Sequence, residues 1–365
     1  MFITIYNYTK IRLYQEMKFF KYLLLPIQVT YSLVILIRNH IYNYKIIRPH
    51  HSDLTTISVG NIKNGGTGKT PMTEYLIELF KDKNIAILSR GYKRKTKGFI
   101  LAKKGVSAKE IGDENCQLYH KYKNITVACD ENRVNGVKKI KELKKDIKLI
   151  ILDDAFQHRR LARDLDIVLT EYDNLFFNDQ LMPIGKLREH KKEIQRAHII
   201  IVTKCPVDLT LEKKISIIEQ IKPPIDQKIY FSYIKEYKFI NKDLSQTWDI
   251  DTTSNHLLIT GIANAKPLVK FLNDNQITYH HLEFQDHYQL QQNDILQIIK
   301  LKKIKKLSQN LLLTEKDYYR LSVNQKRQLL EAFNLICIQI KIDFIEPDKS
   351  NFNNQLIKFG KSKKI

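Results

Sequence analysis

The stretch that decides how this chain reads runs from Thr55 to Pro71, TTISVGNIKNGGTGKTP. Ile57, Val59 and their neighbours read as a short buried strand. Gly65-Gly66-Thr67-Gly68 reads as a tight turn, and Lys69-Thr70 as the opening of a helix that continues PMTEYLIELF. Glycines let consecutive backbone N–H groups converge without a Cβ clash, and at a helix N-terminus such a nest holds an anion. Lys69 adds a cation beside β- and γ-phosphates, and the Thr70 hydroxyl is placed to ligate Mg2+. The strict phosphate-loop pattern asks for glycine six residues before the lysine, where this chain has Lys63. GGTGKT still stands in the required strand–turn–helix setting. The stretch therefore reads as a nucleotide-phosphate site contacted by Asn64, Gly65, Gly66, Thr67, Gly68, Lys69 and Thr70.

Around it, 365 residues predict two domains at a prior of roughly 150 residues each. An apolar fraction of 43% supports packed cores. The net charge of +22 favours anionic partners such as phosphorylated substrates or an acidic membrane surface. That excess is spread along a chain rich in Lys, Ile and Asn, so compositional drift shares the explanation. No nucleic-acid module is recognised, and no nucleic-acid partner is expected. Cys116, Cys129, Cys205 and Cys337 stand far apart, as buried thiols of a reducing compartment do, without zinc or disulfide spacing.

Residues 22–37, YLLLPIQVTYSLVILI, carry no charge and are flanked by Lys18, Lys21, Arg38 and Lys45. Sixteen residues fall short of the ~20 of a spanning helix. Two readings stay open: a buried helix of the core, or an interfacial helix with its cations towards anionic lipid. Residues 1–16 lack clear periodicity and read as an upstream extension of an amphipathic pattern that begins at Met17. Beyond the phosphate loop, strands are predicted at 85–89, 125–129, 148–152, 167–170 and 198–203, with helical patterns between several of them. The alternation implies a mostly parallel sheet covered on both faces, with ligands at the carboxyl ends of its strands. Pro223-Pro224 mark a break. Strand-like runs at 228–233, 256–261 and 310–314 then predict a smaller second α/β unit.

Several polar clusters carry chemistry. LIILDDAFQHRR (149–160) sets Asp153 and Asp154 directly after an apolar strand, where phosphate-loop enzymes hold Mg2+ or polarise a water, with Gln157 and His158 close behind. IGDENC (111–116) places Asp113 and Glu114 before a helical pattern, a sequence that equally caps a helix. FQDHYQL (284–290) supplies Asp286 and His287, the latter a surface histidine or half of a general-base pair. SRGYKRK (89–95), with Arg90 and Tyr92, and LMPIGKLREH (181–190), with Lys186 and Arg188, suit phosphate or sugar recognition or plain solvated loops.

Taken in order and spacing, GGTGKTP (65–71), SRGY (89–92), GDE (112–114), DDAFQH (153–158), MPIGKLRE (182–189), TGI (260–262), FQDH (284–287) and TEKD (314–317) resemble the tetraacyldisaccharide 4′-kinase family of lipid A biosynthesis. The resemblance runs from about Met17 to about Lys341. It implies a membrane-associated phosphate-loop kinase on the cytoplasmic face of the bacterial inner membrane, monomeric, using ATP and Mg2+. Its substrate would be a tetraacylated glucosamine disaccharide 1-phosphate, phosphorylated at the 4′-hydroxyl. The implied division is a membrane-associated N-terminal segment (1–50), a kinase domain (51–222) and a smaller C-terminal α/β domain (223–365). Carried over by position, Lys69 serves catalysis and phosphate binding, and Thr70, Asp153 and Asp154 serve the metal. Asp113 is the catalytic base, assisted by His287, and Arg90, Tyr92, Gln157, His158 and Arg188 face the substrate. Ala155 replaces a frequent glycine, and Lys186 and His190 replace prolines in the family's LPAGPLREP loop. The alternative reading is a membrane-associated partitioning-type switch ATPase. Asn64 speaks against it, because those loops carry lysine immediately before GGxGKT.

Overall fold

The computed structural model describes residues 2–241 and 246–365, with side chains from Leu23 onward. Helix α1 (Phe2–Asn43) leads to β1 (Thr55–Gly60), followed by α2 (Lys69–Leu79), β2 (Ile85–Ser89) and β3 (Ile100–Leu101). Next come α3 (Ala108–Ile111), α4 (Asp113–Lys121), β4 (Thr126–Cys129), α5 (Arg133–Leu143), β5 (Leu149–Asp153), β6 (Leu165–Glu171), β7 (Ile199–Thr203) and α6 (Leu211–Ile221). The remainder is β8 (Lys228–Ile240), β9 (His256–Thr260), α7 (Lys266–Asp274), β10 (Tyr279–Glu283), α8 (Gln292–Ile304), β11 (Asn310–Thr314), α9 (Glu315–Arg320), α10 (Val323–Ala332), β12 (Asn334–Phe344) and α11 (Asp348–Ser362).

All the strands join one 12-stranded sheet in the order β10-β9-β11-β12-β8-β7-β6-β1-β5-β2-β4-β3. The pairings are parallel except β3 with β4 and β8 with β12, so the mostly parallel α/β architecture expected from the alternation is what forms. Strands buried on both faces run nearly continuously apolar, as β2 and β7 do, and β1 is equally buried although it carries Thr55, Thr56 and Ser58. Helices α2 and α4 cover one face of the first half, and α5 packs Val137 and Ile140 on the other. In the second half, α8 and α10 contribute Ile295, Ile298 and Leu329 to one face, and α7 contributes Leu268 and Leu272 to the other.

Strand β8 runs well past the six residues expected from KIYFSY. It leaves β7 at Phe231 and continues antiparallel to β12 from Ser232 to Ile240, joining the two halves of the sheet. From β12 the chain returns, and α11 sets Phe352 and Leu356 into the core that holds Ile57 and Met72. Phe344 and Phe352 have ring centroids 4.5 Å apart, and Tyr230 meets Phe352 edge-on at 5.4 Å. Phe352→Ala is expected to destabilise the protein by about 3–5 kcal/mol. The half-exposed Ile357→Ala should fall within roughly 0.5 kcal/mol of the parent. Urea unfolding midpoints of the two variants would measure the contrast.

Candidate active site

The phosphate loop leaves β1 at Gly60, a position where any Cβ would lie 2.8 Å from the Cβ of Phe156. The turn ends at Gly68, whose φ of +88° suits glycine, and α2 starts immediately with no side chain capping it. Its first-turn N–H groups therefore stay free for an anion. The loop is tied down from behind. Asn61 Nδ2 donates to Thr67 Oγ1 at 2.8 Å, Thr203 Oγ1 to the Thr67 carbonyl at 2.9 Å, and Lys204 Nζ to the Gly66 carbonyl at 2.7 Å. Lys63, standing where the pattern asks for glycine, is buried and turned away, its Nζ 2.7 Å from Asp179 Oδ2. The departure thus leaves the nest unobstructed.

Residues 64–70 line a cleft of about 650 Å³, as do Arg90, Tyr92, Asp153, Asp154 and Arg188. Its far wall comes from the second half of the sheet: Asp286, His287, Lys316, and the apolar Ile234, Tyr237, Ile338 and Ile340. Asp153 ends β5 opposite Val59 of β1, which brings the acids against the loop. Arg188 grips Asp154 with both terminal nitrogens, at 2.6 and 3.0 Å, and Lys69 Nζ lies 3.8 Å from the same carboxylate. Burial pushes Asp153 up to about 6, against the pull of Lys69. Burial would raise Asp154 too, but Lys69 and Arg188 hold it well below the ordinary carboxylate range. Neighbouring acids separated in this way suit different roles.

Asp113 is the first residue of α4 and is buried. Its Oδ2 receives His287 Nδ1 at 2.9 Å and Arg320 Nε at 2.5 Å, both from the second half of the sheet. Arg320 also donates to the Gly261 carbonyl at 2.6 Å and to Asp317 Oδ1 at 2.8 Å, which fixes the guanidinium. Tyr92 meets the His287 ring edge-on at 5.0 Å. Glu114 pairs with Lys316 at 2.9 Å; burial opposes its charge, yet Lys316 and His287 hold it down at about 2. His287 thus faces the phosphate loop across one cleft, with Asp113 bonded to its ring from outside the lining, an imidazole–carboxylate pair of the kind that deprotonation of an alcohol next to a nucleotide requires.

The tetraacyldisaccharide-1-P 4′-kinase family model matches residues 20–360. The tetraacyldisaccharide 4′-kinase of Flavobacterium johnsoniae is 36% identical, over 94% of this chain and 98% of its own length. That of Cytophaga hutchinsonii is 39% identical, over 89% and 93%. The chain belongs to the tetraacyldisaccharide 4′-kinase family. A crystal structure of LpxK from Aquifex aeolicus, described as an "apo" form in complex with ATP, superposes with a TM-score of 0.71 at 26% identity, covering 93% of this chain and 99% of that one.

In this family member, three of the residues expected at the site stand apart from the cleft lining: Asp113, which lies behind His287, and Gln157 and His158. Gln157 Nε2 donates to the Asn61 carbonyl at 2.8 Å, bracing the chain behind the loop. His158 is partly buried, and burial followed by Arg133 and neighbouring arginines lowers it to about 4. The acid pair fits a divalent cation. Asp153 Oδ1 is buried without a hydrogen-bond partner, and a hard cation bound by one or two carboxylates, a hydroxyl and substrate phosphate is how Mg2+ is commonly held. The local sequence does not mark Asn61, Thr203, Lys204, Lys316 or Arg320 as residues of the site. TEKD was visible as a motif, but nothing local shows that α9 lies against α4.

Deeper in the same wall, Lys121 Nζ bridges Glu74 of α2, at 2.8 Å, and Glu315 of α9, at 3.1 Å. Burial, then the Glu74 charge, pushes Glu315 up to about 7, and burial raises Glu74 as well. From the ordinary 4.5 up to about 7 the native state therefore binds protons that the unfolded chain has released. Stability is expected to fall as pH rises through that window, with Asp153 adding in the same direction. Glu315→Gln should flatten the slope, as read from urea midpoints at a series of pH values.

Proposed function

We propose that this protein transfers the γ-phosphate of ATP to the 4′-hydroxyl of a tetraacylated glucosamine disaccharide 1-phosphate. The observation that carries the reading is His287, which lines the cleft opposite Lys69 and Thr70 and is bonded to the buried Asp113. The loop N–H groups and Lys69 hold the nucleotide phosphates and neutralise charge on the phosphoryl group in flight, where positioning and electrostatics supply most of the rate. Asp113, oriented by His287, accepts the proton of the sugar hydroxyl as it attacks. Thr70, Asp153 and Asp154 hold Mg2+, which supplies further charge neutralisation when bound. Arg90, Tyr92 and Arg188 face the sugar and its phosphate.

The halves of the sheet, read as a kinase domain (51–222) and a smaller C-terminal domain (223–365), close about β8 and β12 to exclude water from the cleft. Helix α1 lies on the cytoplasmic face of the inner membrane, where a substrate with four acyl chains is met, and the protein acts there as a monomer. By length and composition Leu23–Asn43 is able to cross a bilayer. Hydrogen bonds from Gln28, Tyr31 and Ser32 to the loop at 181–190 favour a helix lying along the protein at the interface.

Incubation with γ-labelled ATP and a tetraacyl disaccharide 1-phosphate in detergent micelles tests the reading. Labelled bisphosphorylated lipid is expected from the parent. Asp113→Ala should lower kcat by about 10²–10⁴-fold with a much smaller change in the KM for ATP. Lys69→Ala should abolish transfer. ATP hydrolysis with no labelled lipid would replace this reading with that of a switch ATPase.

A further inference from the structure

Helix α1 is amphipathic in the reverse of the usual sense. Leu23, Ile27, Leu33, Val34 and Ile37 are more than half exposed, while Ile35 and Asn39 are buried against the protein. A surface helix ordinarily turns its apolar stripe inward. Here the inner face carries Gln28, Tyr31, Ser32, Arg38 and Asn39, a set spaced for one side of a helix.

That inner face does not simply rest on the protein. It brackets Arg188 on both sides. Gln28 Nε2 donates to the Leu181 carbonyl at 3.0 Å, and the Tyr31 hydroxyl donates to the carbonyl of Arg188 itself at 3.1 Å. Ser32 Oγ lies 3.2 Å from His190 Nε2. Arg38 donates to Glu189 Oε1 at 2.5 Å, and Arg196 takes the other oxygen of the same carboxylate at 2.6 Å. The Glu189 side chain is 0% exposed, so its charge depends on these two arginines. On its other side, the Arg188 N–H donates to the Ile62 carbonyl at 2.8 Å, and its guanidinium reaches Asp154 and the Asn61 carbonyl. Asp154 in turn faces Lys69. Two bonded residues thus separate a helix with an exposed apolar face from the phosphate loop.

We infer that Tyr31 and Arg38 are positioning residues for phosphoryl transfer, and that α1 sets the Arg188 guanidinium on Asp154 in addition to anchoring the protein. The inference rests on the kinase reading above and adds a mechanical role to the helix. A helix displaced from the loop frees the Arg188 backbone and loosens its two-nitrogen grip on Asp154, which lets Lys69 and the acids drift from their working geometry. Seating α1 at a bilayer, where its outer face is satisfied, favours the docked arrangement.

The test is a double-mutant cycle on the full-length protein in micelles, with kcat and the KM for ATP measured separately. Arg188→Met and Arg38→Met are each expected to lower kcat by about ten- to a hundredfold, the scale of a misplaced catalytic group, with the KM for ATP moving far less. The double variant should be no slower than Arg188→Met alone. Arg38→Lys should restore part of the rate. Tyr31→Phe, which removes one hydroxyl and keeps the ring, guards against misfolding and should show the same non-additivity on a smaller scale. Multiplying effects, or a kcat untouched by both Arg38→Met and Tyr31→Phe, overturn the inference while leaving the kinase reading intact. Absence of labelled lipid from the parent overturns the kinase reading and this inference with it.

Discussion

Val59 sits opposite Asp153 in the β1–β5 pairing, and the Asp154 N–H donates to the Val59 carbonyl 2.9 Å away. This parallel register brings two turns, one rich in glycine and one in acid, out of neighbouring strands at the same level. The consequence is electrostatic. Lys69 and Arg188 gather on Asp154, and Asp153 is left buried beside them with an unused oxygen. A slip of the register would turn side chains to the opposite face and separate the loop from its acids. Gly60 and Phe156, in near contact, keep the two turns from sliding past one another.

The other side of the reaction depends on charge. Three ion pairs run between α4 and α9: Asp113 with Arg320 at 2.5 Å, Glu114 with Lys316 at 2.9 Å, and Lys121 with Glu315 at 3.1 Å. Buried pairs of this kind repay little of their desolvation cost, and what they contribute is a fixed arrangement of helices. Here they fix Asp113, on a helix of the first half, against His287 of the second. The two halves are held by backbone where β8 meets β12 and by salt bridges where the chemistry lies.

How much of this is legible in the sequence follows the range of the interactions. GGTGKT and the acids after LIIL are local signals, a turn beside a helix start and a carboxylate at a strand end, and they read correctly from neighbours alone. Arg320 is 207 residues from the Asp113 it binds, and nothing in DYYRL announces that partner. Thr203 and Lys204 act on the loop through bonds that exist only once β7 and β1 lie in one sheet. Strand β10, YHHLE, is not legible as a strand, because its half-exposed polar residues lack the apolar run of a buried strand. The length of strand β8 beyond residue 233 is not legible locally, because Lys235, Glu236 and Lys238 in IKEYKFI break the apolar run expected of a buried strand. The two readings of residues 22–37 could not be separated by hydropathy, since both need an apolar helix, and only the direction of its polar face distinguishes them.

Strand β8 also governs whether the halves can exist apart. A polypeptide ending at residue 222 would strip the neighbour from β7, whose five residues are buried in the whole protein, and leave its N–H and C=O groups as an open apolar border. Such borders recruit other strands, most readily from another copy of the same chain. The same cut would remove α11 and open a hollow where Phe352 and Leu356 fill the core over Ile57 and Met72. The half that carries the phosphate loop therefore borrows its last strand neighbour from the residues that follow it and its last helix from Asp348–Ser362. Its core is filled only when that helix, made long after β7 ends at Thr203, has packed back onto it.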